Sequence, residues 1–171
     1  TGAHSAKAVM EQIRQAKTTL VFINTRAQAE LFFQALWAEN TEDLPIGLHH
    51  GSLAREVRER VEAAMVAGQL RAIVCTGSLD LGIDWGAVDL VIQVEPPPSV
   101  ASGVQRVGRA EHHVDGVSQG VVFPKHRGDL VPTAVTVHRM RSGQIEALAI
   151  PSNPLDVLAQ HVLGTACAGP I

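Results

Sequence analysis

Residues 105–110 read Gln-Arg-Val-Gly-Arg-Ala. On a helix, Gln105 and Arg109 stand four residues apart and project from one face, with Arg106 beside them. Two guanidinium groups and an amide, converging shortly after the Pro96-Pro97-Pro98 break, suit a polyphosphate. Guanidinium stays charged and matches phosphate oxygens two at a time. The competing reading is surface ion pairing with Glu95 or Glu111, which contributes little on a solvated face. Residues 75–84, Cys-Thr-Gly-Ser-Leu-Asp-Leu-Gly-Ile-Asp, bring the Thr76 and Ser78 hydroxyls onto a loop whose glycines permit close approach to a ligand. Asp84 suits a ribose hydroxyl or a helix cap. Asn24-Thr25-Arg26 falls where a strand gives way to a helix, whose free N–H groups hold phosphate well, although most capped helices bind nothing. Other phosphate chemistries lack their residues. A Cys-x5-Arg loop needs arginine where Leu81 stands, and neither G-x-G-x-x-G nor G-x-x-x-x-G-K-[ST] occurs.

These groups need elements to place them. Thr18–Asn24 is a short apolar run rich in branched side chains and reads as a buried strand. Thr25 caps the next helix, with Gln28 completing a capping box. Ala29, Phe32, Phe33 and Leu36 form that helix's apolar face. Ile46–His49 reads as a second strand, Ser52 as a helix cap, and Val57, Val61, Ala64 and Met65 as a buried stripe closed by Gly68. Strands follow at Arg71–Cys75, Val88–Val94 and Val117–Phe123, with a helix capped by Ser99 and running through Arg109 between the last two. Residues 128–140 read as helical, Ile145–Ile150 as a further strand, and Leu155–Leu163 as a helix opened by Pro154. Strands apolar on both faces and alternating with helices define an α/β fold, a mostly parallel sheet with helices on both faces. In such sheets ligands bind beyond the carboxyl ends of the strands, where all three loops lie.

Composition narrows the partners. The chain has 171 residues, 46% hydrophobic, with a formal net charge of −3, which is one ordinary domain and not a disordered or uniformly basic chain. Residues 103–141 hold six basic side chains against three acidic ones, whereas residues 1–102 hold eight against twelve. That unevenness fits either a directed phosphate site or a solvated face. Tyrosine is absent and aromatics make up 4%, against a binder that stacks bases on aromatic platforms. Two cysteines, Cys75 and Cys167, make no disulfide framework, and no apolar run reaches membrane-spanning length. His49, His50, His112 and His113 are adjacent pairs without supporting cysteines, a poor spacing for zinc. Cys75 reads as a small buried residue, and Trp37 and Trp85 as core or interface anchors. The ends, Thr1-Gly2 and Pro170-Ile171, lead us to expect a piece of a longer protein, cytoplasmic by default.

Taken in order, the loops resemble motifs IV, V and VI of superfamily 2 helicases of the DEAD/DEAH type, in their second, C-terminal RecA-like domain. The strand ending in Asn24-Thr25-Arg26 resembles motif IV. His50-Gly51-Ser52 is similar to the His-His-Gly-Ser-Leu element that follows it. Thr76 through Asp84 resembles motif V, and Gln105 through Ala110 resembles motif VI, Gln-Arg-x-Gly-Arg-Ala-Gly. The resemblance spans residues 18 to about 128. The Ser78–Asp84 form of motif V, His112, and residues 120–130 are most similar to the large helicase-related (Lhr) family.

The resemblance implies a RecA-like, P-loop NTPase-like fold and a motor domain that couples ATP hydrolysis to 3′-to-5′ movement on single-stranded DNA and to unwinding of DNA or RNA–DNA hybrids. Arg109 would be the arginine finger, with Arg106 and Gln105 its catalytic neighbours. Gly82, Asp84, Arg106 and Arg109 would face ATP. Thr25, Arg26, Gly51 and Thr76 would hold the nucleic-acid backbone. ATP with Mg2+ would be held mainly by the first RecA-like domain, since neither a Walker A loop nor a D-E-x-H box occurs here. The implied organisation is a helical lead-in over 1–17, the RecA-like domain over 18–141, and a connection over 142–171 toward a winged-helix domain, with nucleoid association in the cytoplasm. Position 111 departs from the pattern: Glu111 stands where the family has glycine, which keeps open an idle helicase-like module used for nucleic-acid or protein binding.

Overall fold

The computed structural model describes residues 2–79, 88–110, 118–147 and 152–169. In chain order the elements are α1 (Gly2–Gln15), β1 (Thr19–Phe22), α2 (Arg26–Ala38), β2 (Ile46–His49), α3 (Arg55–Val66), β3 (Ala72–Cys75), β4 (Leu90–Val94), α4 (Val100–Val107), β5 (Gly120–Phe123), α5 (Leu130–Arg141) and α6 (Leu155–Cys167). The strands lie in the order β2-β3-β1-β4-β5, and every pairing is parallel.

The central strand β1 is buried at every position, as is β4. Side-chain alternation sends its residues into two cores. Val21 and Ile23 pack with Val9, Met10 and Ile13 of α1 and Ala29, Phe32 and Leu36 of α2. Leu20 and Phe22 face the other way, toward Met65 of α3, Leu79 and Ala110. Each fully buried side chain of this size contributes about 1.5–3 kcal/mol. With helices on both faces, no strand needs a solvent-facing polar side, which is why the strands read as mostly apolar runs, with Thr19, His49 and Gln93 as buried polar exceptions.

Two glycines set the position of α4. A Cβ at Gly103 would lie 2.8 Å from Met140 Sδ of α5, and one at Gly120 would lie 2.6 Å from Val107 Cγ2. The contact at Gly120 is with a branched, stiff side chain and leaves no room for a larger residue, whereas at Gly103 the flexible Met140 end would have to move; α4 thus sits tightly between β5 and α5.

Several local expectations are corrected. Ser52 does not cap α3: the helix starts at Arg55, two residues further on than that cap requires, and the cap position is Ala54, with no side-chain hydrogen bond; the Ser52 hydroxyl meets Arg26. Thr25 does cap α2 through the Gln28 N–H. Gln28, however, accepts from the Thr25 hydroxyl and donates to Glu95 instead of closing a capping box. In α3 only Met65 is buried, and Val57 is exposed. Residues 145–147 are not a strand, and residues 148–150 lie outside the described residues. Helix α6 runs on to Cys167, with Pro154 at its cap position rather than in its first turn.

Candidate functional site

The carboxyl edge of the sheet gathers the loops that follow β1, β2, β3 and β4. The chain leaves β1 toward β2 and leaves β4 toward β5, so the two neighbouring strands diverge there. Such a divergence opens a crevice in this kind of sheet.

Asn24, Gln93 and Arg106 meet at that crevice. Arg106, 3% exposed, donates through Nη1 to Gln93 Oε1 at 2.8 Å and to Asn24 Oδ1 at 3.4 Å. Its guanidinium carbon lies 5.0 Å from the centre of the Phe22 ring, a cation–π contact. Asn24 Nδ2 donates to the Pro96 carbonyl at 2.8 Å, tying the loop after β4 to the end of β1. Arg106 also stands in the last turn of α4, where the helix dipole favours a positive charge. The buried guanidinium is therefore held by two amide oxygens, an aromatic face and a helix end.

The motif of residues 105–110 is thus split by its geometry. Helix α4 ends at Val107, so Gln105 and Arg109 are not one turn apart on a continuous helix. Gln105 is exposed, Arg109 partly exposed and Arg106 buried. Arg109 sits in the turn after the helix, its N–H bonded to the Arg106 carbonyl at 3.0 Å. The fold orients Arg109 through a backbone that Arg106 anchors. Glu95, a candidate partner for these arginines on sequence, is held instead by Lys125 Nζ at 3.0 Å and Gln28 Nε2 at 3.2 Å. Its backbone is left-handed, with φ +68°, an uncommon conformation for a residue with a side chain.

On the other side of the crevice, Arg26 Nη1 bonds Ser52 Oγ, joining the loops after β1 and β2. Thr25 and Arg26 are exposed. Gly51 is exposed too, and a Cβ there would meet nothing within 4 Å. The loop is shaped by His50, 1% exposed, whose Nδ1 accepts the Ser52 N–H at 3.3 Å. Its Nε2 lies 3.1 Å from a Glu30 carboxylate oxygen, off the hydrogen-bonding direction.

Thr76 follows β3 directly, 8% exposed, its N–H on the His49 carbonyl at 3.3 Å. Cys75 is buried, with Sγ toward the Val21 carbonyl. Trp37 is half exposed and stacks on Phe33 at 5.9 Å. Gly82, Asp84, Trp85, Glu111, His112 and His113 lie outside the described residues. Among the described residues no cluster of histidine, cysteine and carboxylate is arranged for a metal, and no helix is long and apolar enough to cross a membrane.

Two residues invisible to the motif reading complete the edge. Glu146, just past α5, accepts the N–H groups of Val100 at 2.7 Å and Ala101 at 3.0 Å, adding to the Ser99 cap of α4. The Val100 N–H bond is the chief cause that holds the Glu146 carboxyl below its usual range, with Ala101 and the charge of Arg139 acting in the same direction. The other is Glu62 of α3, whose Oε1 lies 2.8 Å from His49 Nε2.

A parallel sheet of this order, with phosphate-type donors at its carboxyl edge, is the architecture of a RecA-like helicase C-terminal domain. The chain belongs to the helicase conserved C-terminal domain family, whose model matches residues 4–113. Its relatives include Lhr helicases, as the motif resemblance implied. The Lhr helicase/probable uracil glycosylase of Mycolicibacterium smegmatis is 63% identical over 123 residues, 72% of this chain and 8% of the relative. The ATP-dependent helicase Lhr-Core protein 2 of Thermococcus barophilus is 43% identical over 166 residues, 94% of this chain and 19% of the relative. The structure of Mycobacterium smegmatis helicase Lhr bound to ssDNA and AMP-PNP superimposes with a TM-score of 0.91 at 51% identity, covering 98% of this chain and 22% of that one. The chain spans less than a quarter of each of these relatives.

Proposed function

We propose that this domain is the second motor half of an ATP-dependent, Lhr-type helicase that moves 3′ to 5′ along single-stranded DNA and opens DNA or RNA–DNA hybrids. The observation that carries the reading is the placement of Arg109 at the end of α4, behind which the buried Arg106 locks the helix to Asn24 and Gln93. An arginine finger works by being held where charge develops, and in related NTPases it contributes roughly 10³–10⁵ in rate. Arg109 and Gln105 present donors that fit phosphate oxygens. Burial of Arg106 supports a positioning role for it, beneath the finger, in place of direct contact with ATP. Gly82 and Asp84 are assigned to the ribose and phosphates. ATP supplies the phosphoryl transfer that drives the cycle. With its Mg2+ it is assigned mainly to the first RecA-like domain of the same polypeptide, and a winged-helix domain is assigned to follow.

Thr25, Arg26, Gly51 and Thr76 are assigned to the nucleic-acid backbone. Such contacts position a strand without reading its sequence. A motor must also let go in every cycle, so a few directed donors on a chain of net charge −3 serve better than a broad positive field. The cytoplasm, in association with the nucleoid, is the setting that matches this substrate.

The test is Arg109→Ala in the full-length protein. ATP turnover is expected to fall by roughly 10³ or more, with binding of single-stranded DNA retained. Turnover at the wild-type rate would remove Arg109 from the finger role.

A further inference from the structure

His49 ends β2 and is 2% exposed, and both of its ring nitrogens face polar side chains. Nε2 lies 2.8 Å from Glu62 Oε1 of α3, and Nδ1 lies 3.2 Å from Ser78 Oγ in the loop after β3. Ser78 Oγ lies in turn 3.4 Å from Thr76 Oγ1. Four side chains from three elements thus form one line.

A carboxylate oxygen accepts, so a proton on His49 Nε2 faces Glu62. With the ring held at that nitrogen, Nδ1 faces the Ser78 hydroxyl, which is able either to donate to it or to accept from it. The link from Ser78 to Thr76 is the longest of the three, and hydrogen bonds of that length are weak. The Thr76 hydroxyl is therefore the member of the line most readily turned from Ser78 onto an incoming phosphate oxygen. The ring holds Ser78, and Thr76 is poised.

We propose that His49, locked by Glu62, is a positioning residue that orients the Ser78 and Thr76 hydroxyls, so that α3 helps set how the loop after β3 holds a nucleic-acid phosphate. This rests on the assignment of Thr76 to the nucleic-acid backbone. Glu62 is 29% exposed on its side chain and lies outside the buried core, so its removal tests the line without opening a cavity.

The experiment measures, in the full-length protein, the dissociation constant for a single-stranded oligodeoxynucleotide and the KM for ATP. The variants are Glu62→Ala, Glu62→Gln, Ser78→Ala, Glu62→Ala with Ser78→Ala, and Thr76→Val. Glu62→Ala and Ser78→Ala are each expected to weaken DNA binding about 2- to 10-fold, the worth of one net hydrogen bond, with KM for ATP unchanged. Glu62→Gln, whose amide oxygen still accepts from Nε2, is expected to bind as wild type. The double variant is expected to be no weaker than the weaker single, because both changes break the same line. Wild-type affinity in Glu62→Ala, or additive losses in the double variant, would overturn the proposal. Thr76→Val separates the two claims. Weakened Thr76→Val beside unaffected Glu62→Ala overturns the relay alone, whereas unaffected Thr76→Val overturns the assignment of Thr76 on which it rests. Ser78 is exposed, so Ser78→Ala keeps the test decisive should Glu62→Ala perturb α3.

Discussion

Arg106 Nη1 donates to Gln93 Oε1 at 2.8 Å, with both residues 3% exposed. The bond joins the last turn of α4 to β4 and fixes the backbone that leads into Arg109. A hydrogen bond to a charged group contributes about 1.5–3 kcal/mol, and a stranded buried partner raises the cost. Gln93→Met and Arg106→Met are each expected to destabilise the domain by about that amount. Arg106→Lys is not expected to rescue, since one ammonium cannot serve both amides and lie flat over Phe22. Denaturant midpoints check this, and a loss under ~0.5 kcal/mol, typical of an unremarkable surface change, would contradict it.

Glu146 gives the domain an acid-sensitive contact. Its carboxyl is held below the usual range chiefly by the Val100 N–H, so the charged form is favoured in the folded state. The stability it contributes is present above the ordinary carboxylate range and is lost as pH falls through the lowered folded value. The Tm of wild type is expected to exceed that of Glu146→Gln at neutral pH, with the gap closing as pH falls below the ordinary carboxylate value. A gap that persists in acid would contradict this contact.

Arg26 bridges the loops after β1 and β2 through Ser52. If it neutralises one phosphate of a bound strand, Arg26→Gln removes one counterion from the binding equilibrium. The slope of log K against log salt should then become shallower by about 0.7 for single-stranded DNA. An unchanged slope would place Arg26 in a structural role only.

Glu111 stands two residues after Arg109, where the motif resemblance leads us to expect glycine. We expect a carboxylate there to pair with Arg109 or Arg106 in competition with the γ-phosphate. Glu111→Gly in the full-length protein is expected to raise ATP turnover or lower the KM for ATP. Unchanged kinetics would show that Glu111 is no brake.

The strands were readable because burial on both faces leaves a short, mostly apolar run, as in Thr19–Phe22 and in Leu90–Val94, where Gln93 breaks the run and serves Arg106. The Thr25 and Ser99 caps were readable because a cap is a local contact over three residues. What escaped is set by contacts across long sequence distances. Ser52 is not the cap, and its hydroxyl instead meets Arg26, 26 residues earlier. Glu146 caps α4 from 46 residues away, and no local pattern announces that. The side-chain types in Gln105-Arg106-Val107-Gly108-Arg109 were legible as donors that suit phosphate, but their burial was not. An arginine's type says that it can bind phosphate, while only the packing of the elements sets Arg106 against Phe22 and Gln93. His49 was legible only as a poor metal ligand, because Glu62 and Ser78 meet it only after three elements pack.

The most direct test of the half-site account is ATP turnover by the full-length protein, with and without single-stranded DNA, beside residues 1–171 alone. The account predicts turnover by the full-length protein that single-stranded DNA stimulates, and none by residues 1–171. Robust turnover by residues 1–171, or none by the full-length protein with DNA present, would contradict it.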